Sequence, residues 1–335
     1  EALLRIAIDN LKLTHSNLEL ARTGQKVGAA GPVVVYRWES QAASQKARVI
    51  EASSSVDSAR VALNQIIGAD MNRLWKTRDI PLGGTNYFFL QGRLEPLVTD
   101  NRSLLALEDY SVRFALRQSP LLKSLDKNLE AQRIDLGQYR RRFFLPEVAA
   151  SFNYDRILDQ ESAGPAPSPG SSSAYDDEWT LALQASLPLF QGGRRFYDAG
   201  RAAAQAEQLR QTRIRAAQLI ERNVKTVIYS INSSYPNMTL QKTSADFSER
   251  NLRVVKDKYA RGVVSILDLL DAQNQAYVAS QNATLAVYRY LKDVFDLQRA
   301  LSWFELEKDD AEKDEWVKGL RLTLEQMQRV NAKVL

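Results

Sequence analysis

The sequence predicts a mainly α-helical chain, built of long antiparallel helices and interrupted by a single β-hairpin. Three observations carry that reading. Long stretches rich in Ala, Leu, Gln and Glu run almost free of Gly and Pro. Several of them place apolar residues in steps of three and four, which marks a coiled-coil-like seam. Between them, two stretches of about ten residues alternate apolar and polar with period two, as strands do.

Residues 1–26 and 35–67 read as two helices joined by "GAAGP", Gly28 to Pro32, hence a helical hairpin with a tight turn. Residues 120–143 form a further helix. Ser119 suits its N-cap and Pro120 its first position. Its seam runs through Leu122, Leu125, Leu129, Leu136, Tyr139 and Phe143, with Gln132 in the gap. The pattern then changes. In "VAASFNYD", Val148, Ala150, Phe152 and Tyr154 point one way and Ala149, Ser151, Asn153 and Asp155 the other. In "EWTLALQASL", Trp179, Leu181, Leu183, Ala185 and Leu187 share one side.

On alternation alone, this hairpin fits a soluble sheet or a tilted membrane strand pair equally well. Two details favour the bilayer. Tyr154 and Trp179 sit at the loop end of the apolar side, as interfacial aromatics do. A lone hairpin among long helices also has no second sheet to bury against. The connecting "SAGPAPSPGSSSA" is too polar and Pro-rich to pack, so residues 158–176 are expected to form an exposed loop. After "PLFQGG" the helix resumes at Arg194 and runs to about Lys258, with a kink or break expected at Pro236. Some 65 helical residues would extend on the order of 100 Å. Such a length suits a tube or a coiled coil.

The composition narrows the function. The chain has 335 residues, 44% apolar and 25% charged, with net charge +5, no cysteine and one histidine, His15. No run of about 18 apolar residues occurs, so no membrane-spanning helix is expected. No signal peptide is visible. Glu1 already lies in a helical pattern, so the true start is expected upstream. Without cysteines there are no disulfides or thiolate metal sites, which fits cytosol or periplasm alike. His15 reads as a helix-surface residue. A metal site would need carboxylates alone, and neither EF-hand spacing nor HExxH occurs. Nothing requires a cofactor. Basic residues are mixed with acids, as in "SERNLRVVKDK", which describes a solvated helix face rather than a nucleic-acid surface. No nucleophile–base pair or phosphate loop marks an enzyme.

Shifted by 234 residues, the two helical hairpins register without a gap. Asn17-Leu18 falls on Asn251-Leu252, Gly28 on Gly262, Gln41-Ala42 on Gln275-Ala276, Leu63 on Leu297 and Ile67 on Leu301. The chain therefore reads as a two-repeat protein whose first strand pair and most of whose first incoming helix would precede Glu1.

The segments "LPEVAASFNY", "LPLFQGG", "VGAAGPVVVYRWES" and "NLRVVKDKYARGVVSILDLLDAQNQ" together resemble the TolC-like outer-membrane efflux proteins. The resemblance spans essentially the whole chain. It implies a homotrimer in which each protomer gives four strands to one transmembrane β-barrel and long helices to a periplasmic α-barrel. It further implies a passive duct in outer-membrane lipid, docked at its helical tip by a periplasmic adaptor and an inner-membrane pump, for efflux or type I secretion. Under it, residues 1–68 are the first hairpin of the α-barrel and 69–118 an equatorial mixed segment, strand-like at Tyr87 to Leu90. Residues 119–145 are the helix leading to the barrel and 146–189 the membrane hairpin. Residues 190–304 are the second helical hairpin, and 305–335 a charged, helical equatorial tail. Two other readings compete: a periplasmic adaptor, which lacks membrane strands and the duplicated hairpin, and a soluble coiled-coil scaffold.

The tip "YARGVVSILDLLDAQNQ" carries the candidate site. Gly28 and Gly262 mark the turns. Ser265 suits an N-cap, and Asp268 three residues later completes a capping-box pattern, which explains Asp268 without any function. Asp271 lies past the first turn, where capping offers little, and at i+3 shares a face with Asp268. Three chains would turn each aspartate into a ring, attractive to cations. The resemblance implies that Asp268, Asp271 and Tyr259 line and gate the periplasmic entrance. The family's best-known member has a basic residue where Val264 stands, and relatives often have an aspartate at the place of Val34. An ion-pair lock is therefore not expected. An apolar lock by Val34, Val35 and Val264 is.

Overall fold

The structure, a computed structural model, describes residues 1–28, 30–77, 101–156, 177–188 and 190–332. The strand expected at Tyr87 to Leu90 and the loop 158–176 lie outside the described residues. The elements are α1 (Ala2–Lys26), α2 (Pro32–Ile67), α3 (Asn101–Gln118), α4 (Pro120–Arg141), β1 (Glu147–Arg156), β2 (Asp177–Ser186), α5 (Arg194–Ala260), α6 (Ile266–Leu301), a short 3-10 turn at Glu305–Glu307, and α7 (Asp310–Ala332). They divide into two units, Pro120–Leu219 and the remainder of the chain, with α5 contributing to both.

In the larger unit, α1–α2 and the end of α5 with α6 form two helical hairpins whose boundaries repeat to the residue. Incoming helices end at Lys26 and Ala260, and returning helices run from Pro32 to Ile67 and from Ile266 to Leu301, each pair 234 residues apart. The terminal caps repeat as well. Gly68 and Ser302 both take a left-handed conformation, φ 67° and 51°. In each cap two backbone N–H groups reach back to the last turn: Gly68 and Ala69 to Gln65 and Asn64, Ser302 and Trp303 to Arg299 and Gln298. These bonds satisfy carbonyls that a helix end would otherwise leave unpaired. Ser302 accepts a backbone that glycine adopts more readily, held there by its buried neighbours Leu301 and Trp303.

The larger core gathers Val224, Ile228, Ile231 and Met238 of α5, Leu104, Leu107 and Ala115 of α3, Tyr290, Leu291, Val294 and Leu297 of α6, and Trp316 and Leu320 of α7. Trp303 stacks on Trp316, and Tyr110 meets Trp316 edge-on with ring centres 5.5 Å apart. Lys225 ties α5 to α3 through Glu108 at 3.1 Å, and the Tyr229 hydroxyl donates to the same carboxylate at 2.9 Å. Of the kink or break expected at Pro236, the break does not occur: α5 runs on through it. The proline deprives the Asn232 carbonyl of an amide donor, but Ile231 and Met238 on either side are anchored in the core, and that packing holds the helix through the gap.

In the smaller unit, α4 lies along the first part of α5. Arg213 of α5 makes a two-pronged ion pair with Asp126 of α4, and the Phe143 and Phe196 rings meet edge-on 5.0 Å apart. β1 and β2 pair antiparallel in a two-stranded sheet, with Val148 opposite Ala185, Ala150 opposite Leu183, Phe152 opposite Leu181 and Tyr154 opposite Trp179. The two alternations are thus in phase, and one face is apolar along both strands. That face is open: Phe152, Trp179, Leu181 and Leu183 are 64–78% exposed. The opposite face carries Ser151, Asn153, Thr180 and Gln184.

Candidate functional site

The second helical tip is built by two local devices. α5 ends in a Schellman-type turn. Gly262 N–H donates to the Tyr259 carbonyl and Val263 N–H to the Lys258 carbonyl, both at 2.9 Å, with Gly262 at φ +73°. α6 then starts in a capping box. Asp268 N–H donates to Ser265 Oγ at 3.3 Å, while Ser265 N–H and its hydroxyl both donate to Asp268 Oδ2, at 2.8 and 2.7 Å. These bonds hold the Asp268 carboxyl below the usual carboxylate range, the Ser265 hydroxyl foremost. Asp271 has a different partner. Gln275, one turn on, donates to Asp271 Oδ2 at 2.8 Å. Both acids are exposed, on one side of the helix with Leu267, Asn274 and Val278.

Beneath the acids lies an apolar cluster of Leu18 and Ala21 of α1, Val35, Trp38 and Ala42 of α2, and Leu269 of α6, with Val34, Leu252, Val255, Tyr259, Ile266 and Leu270 packed against it. This places the expected lock residues. Val35 is 6% exposed and belongs to this protomer-internal core. Val34 and Val264 stay half-buried at the surface. The Tyr259 ring packs against the same cluster. The first tip turns at Gly28, φ +74°, whose N–H donates to the Gln25 carbonyl, and Gly31 precedes the helix-starting Pro32. Arg22 braces that tip by pairing with Glu39 at 2.9 Å and Glu19 at 3.1 Å. In the smaller unit, Tyr154 and Trp179 face each other directly across the strands near the loop end.

One feature had no signal in the sequence. Asn10, Thr14 and Asn17 of α1, Gln45 of α2 and Gln273 of α6 are all buried and join in one hydrogen-bonded network. Amides scattered along charged helices read as solvated positions. Only their tertiary meeting, between residues some 260 apart in sequence, reveals them as interior.

The exposed apolar hairpin face and the duplicated helical hairpins can be set beside known proteins. The outer membrane efflux protein family model matches residues 112–302, and the chain belongs to that family, one of transport conduits. Outer membrane protein TolC of Escherichia coli K12 is 25% identical over 156 residues, 43% of this chain and 30% of TolC. The alkaline protease secretion protein AprF of Pseudomonas aeruginosa is 25% identical over 249 residues, 73% of this chain and 46% of AprF. Among solved structures, the outer membrane protein VceC of Vibrio cholerae superposes with TM-score 0.63 at 16% identity, over 90% of this chain and 65% of VceC. The MtrE outer membrane channel of Neisseria gonorrhoeae, in its open state, gives TM-score 0.61 at 19% identity, over 90% and 64%. The fold is the same. The chain spans less than half the length of these two curated relatives and under two thirds of the two solved chains.

Proposed function

We propose that this chain forms, as a homotrimer, a passive outer-membrane exit duct for efflux or secretion, with no enzymatic step of its own. Its tip faces the periplasm, where a periplasmic adaptor and an inner-membrane pump engage it. The observation that supports this most is the β-hairpin. Its apolar face is open to solvent along both strands, and among the described residues the sheet has these two strands and no third on either edge. In a bilayer such edges must be paired by further strands, which a closed oligomeric barrel supplies. Lipid then covers Phe152, Leu181 and Leu183, Tyr154 and Trp179 sit at the membrane interface, and the polar face lines water.

At the tip, Asp271 is the residue that favours an entrance over simple helix capping. It lies beyond the first turn, is exposed, and shares its face with Asp268. In a trimer the two form stacked acidic rings that draw cations, with Tyr259 behind them and Val34 and Val264 as the apolar narrowing. The test is recording from the full-length trimer in planar bilayers. Cation-selective channels are expected, and Asp271→Asn is expected to lower the cation-to-anion permeability ratio severalfold. Val264→Arg, in the same recordings, is expected to change unitary conductance. A protein that stays soluble and forms no channel would sink the duct reading. An unchanged ratio in Asp271→Asn would sink the entrance assignment.

A further inference from the structure

In the first turns of α6, Ile266, Leu267, Leu269 and Leu270 spread over about half of the helix circumference, and Asp268 and Asp271 take the other side. Leu269 is buried, yet Leu267 is 55% exposed and Val278, three turns on along the acidic side, is 42% exposed. Burial of Tyr277, Tyr290, Leu291, Val294 and Leu297 sets the facing of α6 along its length, but at its first turns, where Leu267 stays exposed, apolar burial holds the angle less tightly. A local rotation of some tens of degrees at these turns would trade part of the burial of Leu269 for more burial of Leu270. It would also carry Asp268 and Asp271 off their present face.

The buried amides narrow that angle. Gln273 Nε2 donates to Asn10 Oδ1 at 3.0 Å and to Thr14 Oγ1 at 2.7 Å, while its Oε1 accepts from Asn17 Nδ2 at 3.2 Å. Asn10 Nδ2 in turn donates to Gln45 Oε1 at 2.8 Å, and the Thr14 hydroxyl to the Asn10 carbonyl at 2.9 Å. Gln273 is 1% exposed, so both its donors and its acceptor are satisfied inside the protein. Turning α6 would strand these groups without water, and an unsatisfied buried polar group is destabilising because its lost hydration is not replaced. Polar residues inside an apolar seam set register in this way. On the helix, Asp271 lies about 160° and Asp268 about 140° from Gln273. An inward Gln273 therefore means outward acids.

We propose that the Asn10–Thr14–Asn17–Gln45–Gln273 network is the rotational lock of α6, and that Gln273 is a positioning residue for the acidic face it never touches. The inference rests on the entrance reading of Asp271. It predicts that ion selectivity depends on a residue with no exposure to the ion path.

The experiment compares full-length wild type, Asp271→Asn, Gln273→Leu and Thr14→Val in planar bilayers, with trimer content and thermal midpoint measured in detergent. Gln273→Leu keeps the volume and removes all three hydrogen bonds. It is expected to form trimers and to lower the cation-to-anion permeability ratio severalfold, towards that of Asp271→Asn. Thr14→Val, which removes one acceptor isosterically, is expected to shift the ratio in the same direction by less, and it carries the test should Gln273→Leu fail to assemble. A merely structural role would lower the midpoint and leave selectivity unchanged. If Asp271→Asn alters the ratio while Gln273→Leu, or Thr14→Val in its place, leaves it at the wild-type value, the lock is overturned and the entrance reading stands. If Asp271→Asn leaves the ratio unchanged, the entrance reading fails and the lock falls with it.

Discussion

Asp268 and Asp271 stand three residues apart on one helix face and are held differently. Asp268 accepts from Ser265, which keeps its carboxyl below the ordinary range. Asp271 is steadied only by Gln275 among the described residues. A depressed folded-state pKa means that the cap is at full strength above the unfolded-chain value, about 4. Its contribution is lost as pH falls through the lower folded value. Ser265→Ala removes the foremost cause of that depression. Asp268 should then protonate at higher pH, and the midpoint at which cation selectivity is lost on acidification should move upward, as reversal potentials across a pH series would show. An unmoved midpoint would mean that Asp268 does not contribute to selectivity. The capping box was legible in the sequence because it is local: a serine, three steps, an acid. The Gln273 network was not, because its partners lie on other helices and no periodicity announces them.

At the scale of elements, the ends of α1 and α5 were readable from Gly, Pro and cap residues, while α2 starts at Pro32 rather than residue 35 and α3 was read only as part of a mixed segment. The 234-residue register survives to single hydrogen bonds at both caps. At Pro236 local chemistry predicts a kink or a break, and α5 runs on unbroken with Ile231 and Met238 anchored in the core on either side. Packing also reverses an ordinary propensity rule at Gly319 in α7. Gly to Ala inside a helix normally gains up to about 1 kcal/mol. Here a Cβ would come within 2.5 Å of the Tyr110 hydroxyl oxygen and 2.8 Å of its ring. Tyr110 is itself wedged against Trp316 and Phe114. Overpacking of this kind costs about 1–3 kcal/mol. Gly319→Ala should lower the thermal unfolding midpoint, and adding Tyr110→Ala should cost less than it does in the wild type. Additive losses in that double-mutant cycle would show that the two residues are not in conflict.

For the whole molecule, the in-phase alternation of β1 and β2 separates an apolar from a polar face, which in the proposed barrel become a lipid side and a water side. Leu183 and Gln184 are neighbours on opposite faces near the strand centre. Arginine on the lipid side near the bilayer midplane costs about 2–4 kcal/mol, whereas on the water side it stays hydrated. Leu183→Arg should sharply reduce trimer recovered from outer membranes, and Gln184→Arg should leave it near normal. Equal yields would contradict the assignment of faces. The period of two gives the two faces but not which of them meets lipid. α7 reads as a charged amphipathic tail, and what its buried side meets, Tyr110 and Trp303 around Trp316, emerges only in the structure.

The register between the two hairpins has a consequence for symmetry. Their turns, starts and caps coincide, but Asp268 and Asp271 have Val34 and Arg37 at the matching places of the first hairpin. In the proposed trimer the tips would form a ring with sixfold backbone geometry and threefold charge. Acid-bearing tips would alternate with tips of the same shape that lack those acids, so a docking partner could seat against six equivalent shapes while telling adjacent ones apart by charge alone.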